Sequence, residues 1–252
     1  MKKQALMLSL GGLLLTSAVQ ADTLLGVYVG GDVWRTQTEG GFANSDQLQQ
    51  FGFDDKSQAS FYVALEHPIP LLPNIRIQHN KLESQGVTTL NSTFTFDDQV
   101  FAADTTVANR VDLSNTDYVL YYEILDNSLV SLDFGINAKH VKGSVDVAEQ
   151  GVNGLSASHS ASQFVPMIYT SAIVGLPFTG LDVFAQGSYA ALDDNRIYDI
   201  QAGLAYKLID NLVVDMRIKV GYRAVNLKLD DIDDLYTDLD FKGVFAGIEL
   251  HF

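Results

Sequence analysis

The sequence predicts an all-β fold, a closed antiparallel barrel that crosses a membrane on strands. Three observations predict it. The chain closes on a strand in which Val244, Ala246, Ile248, Leu250 and Phe252 recur at every second position, with phenylalanine last. The same alternation recurs through most of the chain. The polar connections between the alternating segments are short and long by turns. Successive side chains leave a strand on opposite sides, so a strand with hydrocarbon on one face and a lumen on the other must alternate in this way.

The opposite face of the closing strand carries Gly243, Gly247, Glu249 and His251, small or polar residues that suit a lumen. At the other end, Lys2 and Lys3 precede an apolar stretch from Ala5 to Val19, and Ala21 stands at an exit position. Charged start, short apolar region and small-residue exit form the pattern of a secretory signal peptide. A membrane-spanning helix needs about 20 apolar residues, and Thr16, Ser17 and Gln20 break this one. The expected organisation is a signal peptide over 1–21 and a barrel over 22–252, exported to the outer membrane.

Charge and composition exclude several classes. The formal charge is −15, and −17 once Lys2 and Lys3 are removed with the signal. A chain this acidic lacks the clustered cations that nucleic-acid binding requires, so no nucleic-acid partner is expected. Without cysteine there is neither a disulfide nor a thiolate metal site. Residues 164–181 carry no charge and invite a helical reading, but Pro166 and Pro177 lie inside them. An interior proline costs a helix about 3 kcal/mol, so two strands meeting at a turn over 175–180 fit better.

Turn residues set the strand count. Short connections rich in Pro, Asn, Asp and Gly fall at 67–74, 125–129, 175–180 and 208–212, where tight-turn geometry favours them. Longer polar segments fall at 35–57, 83–110, 142–162, 190–197 and 228–240. Outer-membrane barrels have short periplasmic turns, longer external loops and an even number of strands. Ten strands follow, with eight or twelve as the alternatives. The expected spans are 24–34, 59–67, 74–82, 111–124, 130–141, 163–174, 181–189, 198–207, 212–225 and 241–252. Residues 88–96 are expected to prolong a hairpin outside the membrane.

The alternation assigns faces. Tyr189, Tyr198 and Tyr222 fall at external strand ends and Tyr122, Tyr206 and Phe252 at periplasmic ends, as two interfacial girdles require. Asp32, Glu66, Asp117, Glu123, Asp133, Asp182, Asp199, Asp215 and Glu249 fall on the lumen side. So do Arg76, Lys139, Lys207, Arg217, Lys219 and Arg223. His79 on the apolar face and Pro166 inside a strand fit poorly.

Three functions are compatible with this pattern. Paired lumen charges would leave the barrel mostly closed, with an envelope-structural or surface-interaction role. The stripe Arg217, Lys219 and Arg223 could instead line a narrow channel for small anionic solutes. A hydrolase at the rim would draw on Ser158, His159 and Ser160 with Asp193 and Asp194, but sequence neighbours rarely meet triad geometry. No enzyme activity, catalytic residue, metal or cofactor is therefore expected. The acidic run Asp230, Asp231, Asp233 and Asp234 could take calcium, but it lacks the EF-hand glycine and closing glutamate and reads better as a solvated face.

The segments 21–34, 116–123, 175–181 and 241–252 together resemble a family of outer-membrane barrels of Gram-negative bacteria of about 250 residues. The resemblance covers the whole mature chain. It implies the barrel fold and the outer membrane, with lipid bilayer and lipopolysaccharide as surroundings, and offers no activity to carry over. The strand ending at Phe252 is also similar to the signal read by the barrel-assembly machinery, which that likeness makes an expected partner.

Overall fold

Alternation along each strand becomes, in three dimensions, one wall with two chemically different sides. The computed structural model describes residues 25–151, 154–211, 213–232 and 235–252, with the side chains of 231 and 232 excepted. The expected signal peptide, the strand starts at Leu24 and Leu212, and Asp233 and Asp234 of the acidic run lie outside the described residues.

The strands in chain order begin with β1 (Gly26–Ala43), β2 (Gln49–Gln50), β3 (Lys56–Glu66), β4 (Asn74–Asn80) and β5 (Glu83–Thr89). Next come β6 (Phe94–Phe96), β7 (Gln99–Phe101), β8 (Thr106–Asp112), β9 (Asn115–Asp126) and β10 (Val130–Glu149). Then follow β11 (Ser156–Leu176), β12 (Leu181–Leu192), β13 (Asn195–Asp210), β14 (Asp215–Ile232) and β15 (Leu235–His251). Ten of them, β1, β3, β4 and β9 to β15, form the barrel, each antiparallel to the next. β15 returns to β1, and Phe252 exchanges two backbone hydrogen bonds with Val27, at 2.9 and 3.2 Å.

Register sets the size of the cylinder. Paired residues lead once round the wall from Val27 through Leu65, Ile75, Leu120, Ile136 and Ile168. They continue through Tyr189, Tyr198, Asn226 and Asp240 and reach β1 again at Glu39. The stagger is therefore 12 residues, from Val27 to Glu39. With about 3.3 Å per residue and about 4.8 Å between strands, the strands tilt about 40° and the backbone radius is about 10 Å. Inward side chains fill most of so narrow a tube.

The outer face is apolar over a continuous band. Val33, Phe61, Ile77, Tyr118, Phe134, Ile168, Val220 and Val244 are all exposed on it. Tyr189 and Tyr222 are exposed at its external edge, and Tyr122, Tyr206 and Phe252 at its periplasmic edge. Tyr198 departs from the expected girdle. Its hydroxyl donates to Asp240, 3.5 Å away, in a polar patch above the band. His79 marks the same upper edge, 3.1 Å from the Thr116 hydroxyl and packed against Phe61. Above that edge the outer face turns charged with Arg35, Lys81, Lys142 and Lys242.

The expected ten spans all contain strand, yet the expected long loops are largely strand too. β1 runs on to Ala43, β10 to Glu149, and β11 starts at Ser156. Region 190–197 is a hairpin closed by Asp193 and Asp194, with Leu192 paired to Asn195. The polar residues that suggested loops are the wetted outer face of strands that continue beyond the membrane. Their inner face is apolar: Phe42, Phe96, Phe101, Leu90, Val107 and Leu239 are almost wholly inaccessible. β5 and β8 pair with each other, β8 also pairs with β10, and β6 and β7 form a separate hairpin. The result is an external cap with its own hydrophobic core, and the hairpin expected near 88–96 belongs to it.

Candidate functional site

The lumen is a stack of layers set by which inward residues share a register. At mid-height, β10 contributes Lys139, β9 Asp117, β13 Asp199 and β14 Arg223. Lys139 Nζ lies 2.9 Å from Asp117 and 3.2 Å from Asp199. Arg223 grips the Asp199 carboxylate with two parallel bonds, Nε to Oδ1 at 2.8 Å and Nη2 to Oδ2 at 2.7 Å. Arg223 Nη2 also donates to Asn80 at 2.9 Å, and Asn137 bridges Asp117 and Ser188. Two-point guanidinium–carboxylate contacts fix orientation as well as charge.

A second layer lies nearer the periplasm. Lys219 sits 3.6 Å from Asp32 and 3.7 Å from Glu249, and donates to the Tyr62 hydroxyl at 3.1 Å. Tyr62 in turn bonds to Glu249, and the Arg76 guanidinium stacks 3.5 Å above the Tyr62 ring. Arg217 lies 3.4 Å from Glu249 and 3.8 Å from Asp182. Two glycines make room for this layer. A Cβ on Gly30 would meet the Tyr62 ring at 2.4 Å, and one on Gly247 would meet Asp32 Oδ1 at 1.9 Å. Tyr62 and Asp32 can lean over the neighbouring strand because the residue paired with each, Gly30 and Gly247, offers bare backbone.

Below the second layer a polar cavity of about 360 Å³ opens to the periplasm. Glu66, Glu123, Asp133, Asp182 and Asp215 line it with Lys207 and Arg217. His251 stacks on Tyr28 with ring centres 4.1 Å apart. Above the first layer the chemistry inverts. A cavity of about 520 Å³ has walls of Val141, Val165, Ile197, Leu227 and Leu239, with Arg196 also in its lining.

Thus the lumen residues expected from alternation do face inward, and most of the charged ones meet. The basic stripe Arg217, Lys219 and Arg223 does not stand free, because each cation has a carboxylate within 4 Å. The rim triad is not assembled. His159 pairs with Val145 and so points inward, while Ser158 and Ser160 point outward. Ser158 Oγ instead donates to Asp146 at 2.6 Å. Among the described residues no group of three or more His, Cys, Asp or Glu side chains could hold a metal ion.

Sequence reading missed the apolar cavity and the cap core. The signal was present: Phe94 and Phe96 alternate, and Leu227, Leu229 and Leu235 continue the inward face of β14 and β15. Their polar neighbours masked it.

A ring that closes on itself, an apolar outer band between aromatic edges and a charged interior define an integral outer-membrane β-barrel. No protein-family model and no curated protein matches the chain. Among solved structures it is similar to the outer membrane protease OmpT of Escherichia coli at 9% identity, over 90% of this chain and 96% of that one, with a TM-score of 0.47. It is similar to the translocator domain of the autotransporter NalP of Neisseria meningitidis at 10% identity, over 98% and 95%, with a TM-score of 0.46. The attachment invasion locus protein Ail of Yersinia pestis matches at 12% identity, over 88% and 97%, with a TM-score of 0.31. These likenesses assign no activity, and the barrel assignment rests on the register, the closed ring and the apolar band.

Proposed function

We propose that this protein is a closed, non-enzymatic barrel that serves the outer membrane as a structural and surface-interaction element. One observation carries the reading: two layers of paired charges cross the lumen, and an apolar core stands over them. Lys139 and Arg223 have side chains only 3% exposed, and packing this tight at their height supports a closed lumen. An ion would have to break a buried pair and then cross the cap core, both costly steps. The belt of Arg35, Lys81, Lys142 and Lys242 just above the apolar band suits the phosphates of lipopolysaccharide. Assembly through the strand ending at Phe252 by the barrel-assembly machinery belongs to the same proposal.

Planar-bilayer recording tests it. The folded protein is expected to give no steady current, and Arg223→Ala is expected to raise leakage by freeing Asp199. A stable native conductance that falls in Arg217→Ala and Arg223→Ala would overturn the closed reading in favour of an anion channel.

A further inference from the structure

The barrel wall is incomplete on one side. β12 pairs with β11 only as far as Tyr189 opposite Ile168. β11 continues outward from Met167 to Ser156 with β10 on one flank and, among the described residues, no registered partner on the other. Pro166 lies in this stretch. Proline lacks the N–H that a ladder needs and is confined to edges and bulges, so the seam cannot zip past it with a regular ladder. The strand irregularity noted in the sequence is therefore the foot of a lateral opening.

The opening leads into the apolar cavity above the charged layers. That cavity is bordered by outward residues Phe164, Pro166 and Ala191 and by inward residues Val165, Ala190 and Ile197. A space lined from both faces of one wall is a passage through that wall. Its foot lies at Tyr189, the external edge of the apolar band, where acyl chains give way to headgroups. Its volume, about 520 Å³, falls within the range of sites that bury a small ligand. Arg196 lines it and makes no ion pair among the described residues; its guanidinium donates to the Asn226 side-chain oxygen at 3.1 Å and lies 5.8 Å from the centre of the Tyr198 ring.

We propose that this cavity takes one acyl chain of an anionic outer-leaflet lipid, inserted sideways between β11 and the β12–β13 hairpin. Its phosphate would meet Arg196. An apolar space open to bulk water alone would be poorly wetted, whereas one opening at the bilayer edge has hydrocarbon beside it. The charged layers below stop the chain from travelling further down the lumen.

The test uses full-length protein in vesicles of phosphatidylethanolamine and phosphatidylglycerol, with a trace of phosphatidylglycerol spin-labelled near one chain end. Native protein is expected to hold about one strongly immobilised lipid per barrel, in slow exchange, beyond the loosely restricted annulus. Filling the cavity with Ala161→Phe and Ala190→Phe is expected to lower that component about tenfold, and Arg196→Ala to weaken it several-fold. Folding of each variant is checked by the shift in gel mobility on boiling. If the filled variant does not fold, Ala191→Trp at the exposed mouth carries the test and is expected to slow exchange. Identical spectra for native and folded variants would overturn the proposal. So would a cavity that takes free naphthalene and excludes the labelled lipid. An ion current would defeat the closed-lumen reading and leave this spectrum unchanged.

Discussion

Asp199 accepts hydrogen bonds from Lys139 and Arg223 at once, and both cations are nearly inaccessible. Removing a single partner from such a group leaves buried charge behind, which costs about 3–5 kcal/mol. Asp199→Asn should therefore lower the urea midpoint of the vesicle-inserted barrel by a corresponding amount. Arg35→Ala, which removes an exposed pair to Asp55 at 3.4 Å, should shift it by less than about 1 kcal/mol. Glu83 in the cap behaves differently. Lys56 at 2.6 Å and Lys81 at 3.2 Å hold its carboxylate below the usual range. A lowered folded-state value means the contribution is complete above the unfolded carboxylate value, about 4.3, and is lost as pH falls through the folded one. Hydrogen exchange of the β5–β8 ladder should accelerate as pH is lowered through that window after correction for intrinsic rates, and Glu83→Gln should abolish the extra acceleration. At this scale the sequence was informative about direction and silent about distance. Alternation put Lys139 and Asp199 inside, but only the stagger of the ring brought β10 and β13 residues into contact.

Elements were legible where lipid enforces alternation and illegible where water does not. From Tyr118 to Ile124 or Met216 to Tyr222 the outer face must be apolar, so the strand announces itself. Above the membrane the outer residues of the same strands are Ser, Asp, Lys and Thr, which read as loop. The β12–β13 hairpin shows the consequence. Its tip is a two-residue turn with Asp193 at φ +53°, a conformation that asparagine, aspartate and glycine tolerate and β-branched residues resist. Asp193→Val should cost about 1–2 kcal/mol, whereas Asp193→Gly should be neutral or mildly stabilising by the same urea unfolding. Pro166 was visible in the sequence as an anomaly. Its meaning depends on β12 parting from β11 beyond Tyr189 while staying paired with β13 to Leu192, a fact that belongs to the neighbouring strand.

The whole molecule is two cores on one set of strands. The part in the membrane is inside-out, with an apolar exterior and a polar lumen, while the part outside has its apolar residues within. Their stabilities should separate. Phe96→Ser places a hydroxyl among Phe42, Phe94 and Phe101 and removes aromatic contacts that run from 5.2 Å between ring centres. A loss of about 3–5 kcal/mol is expected for emptying such a site. Trypsin should then cut within 83–112 while the boiled and unboiled forms still differ in mobility. Loss of the mobility difference would show instead that cap and barrel fold as one unit.

The order of residues alone determined that strands would cross a bilayer and which face each side chain takes, and it favoured ten such strands over eight or twelve. Those properties follow from a period of two and from the intolerance of hydrocarbon for polar groups, both local. Which charges meet, how far the strands rise above the lipid and where the wall stays open were decided only by the folded ring. They depend on a stagger of 12 residues accumulated over ten pairings, and no stretch of the chain records that sum.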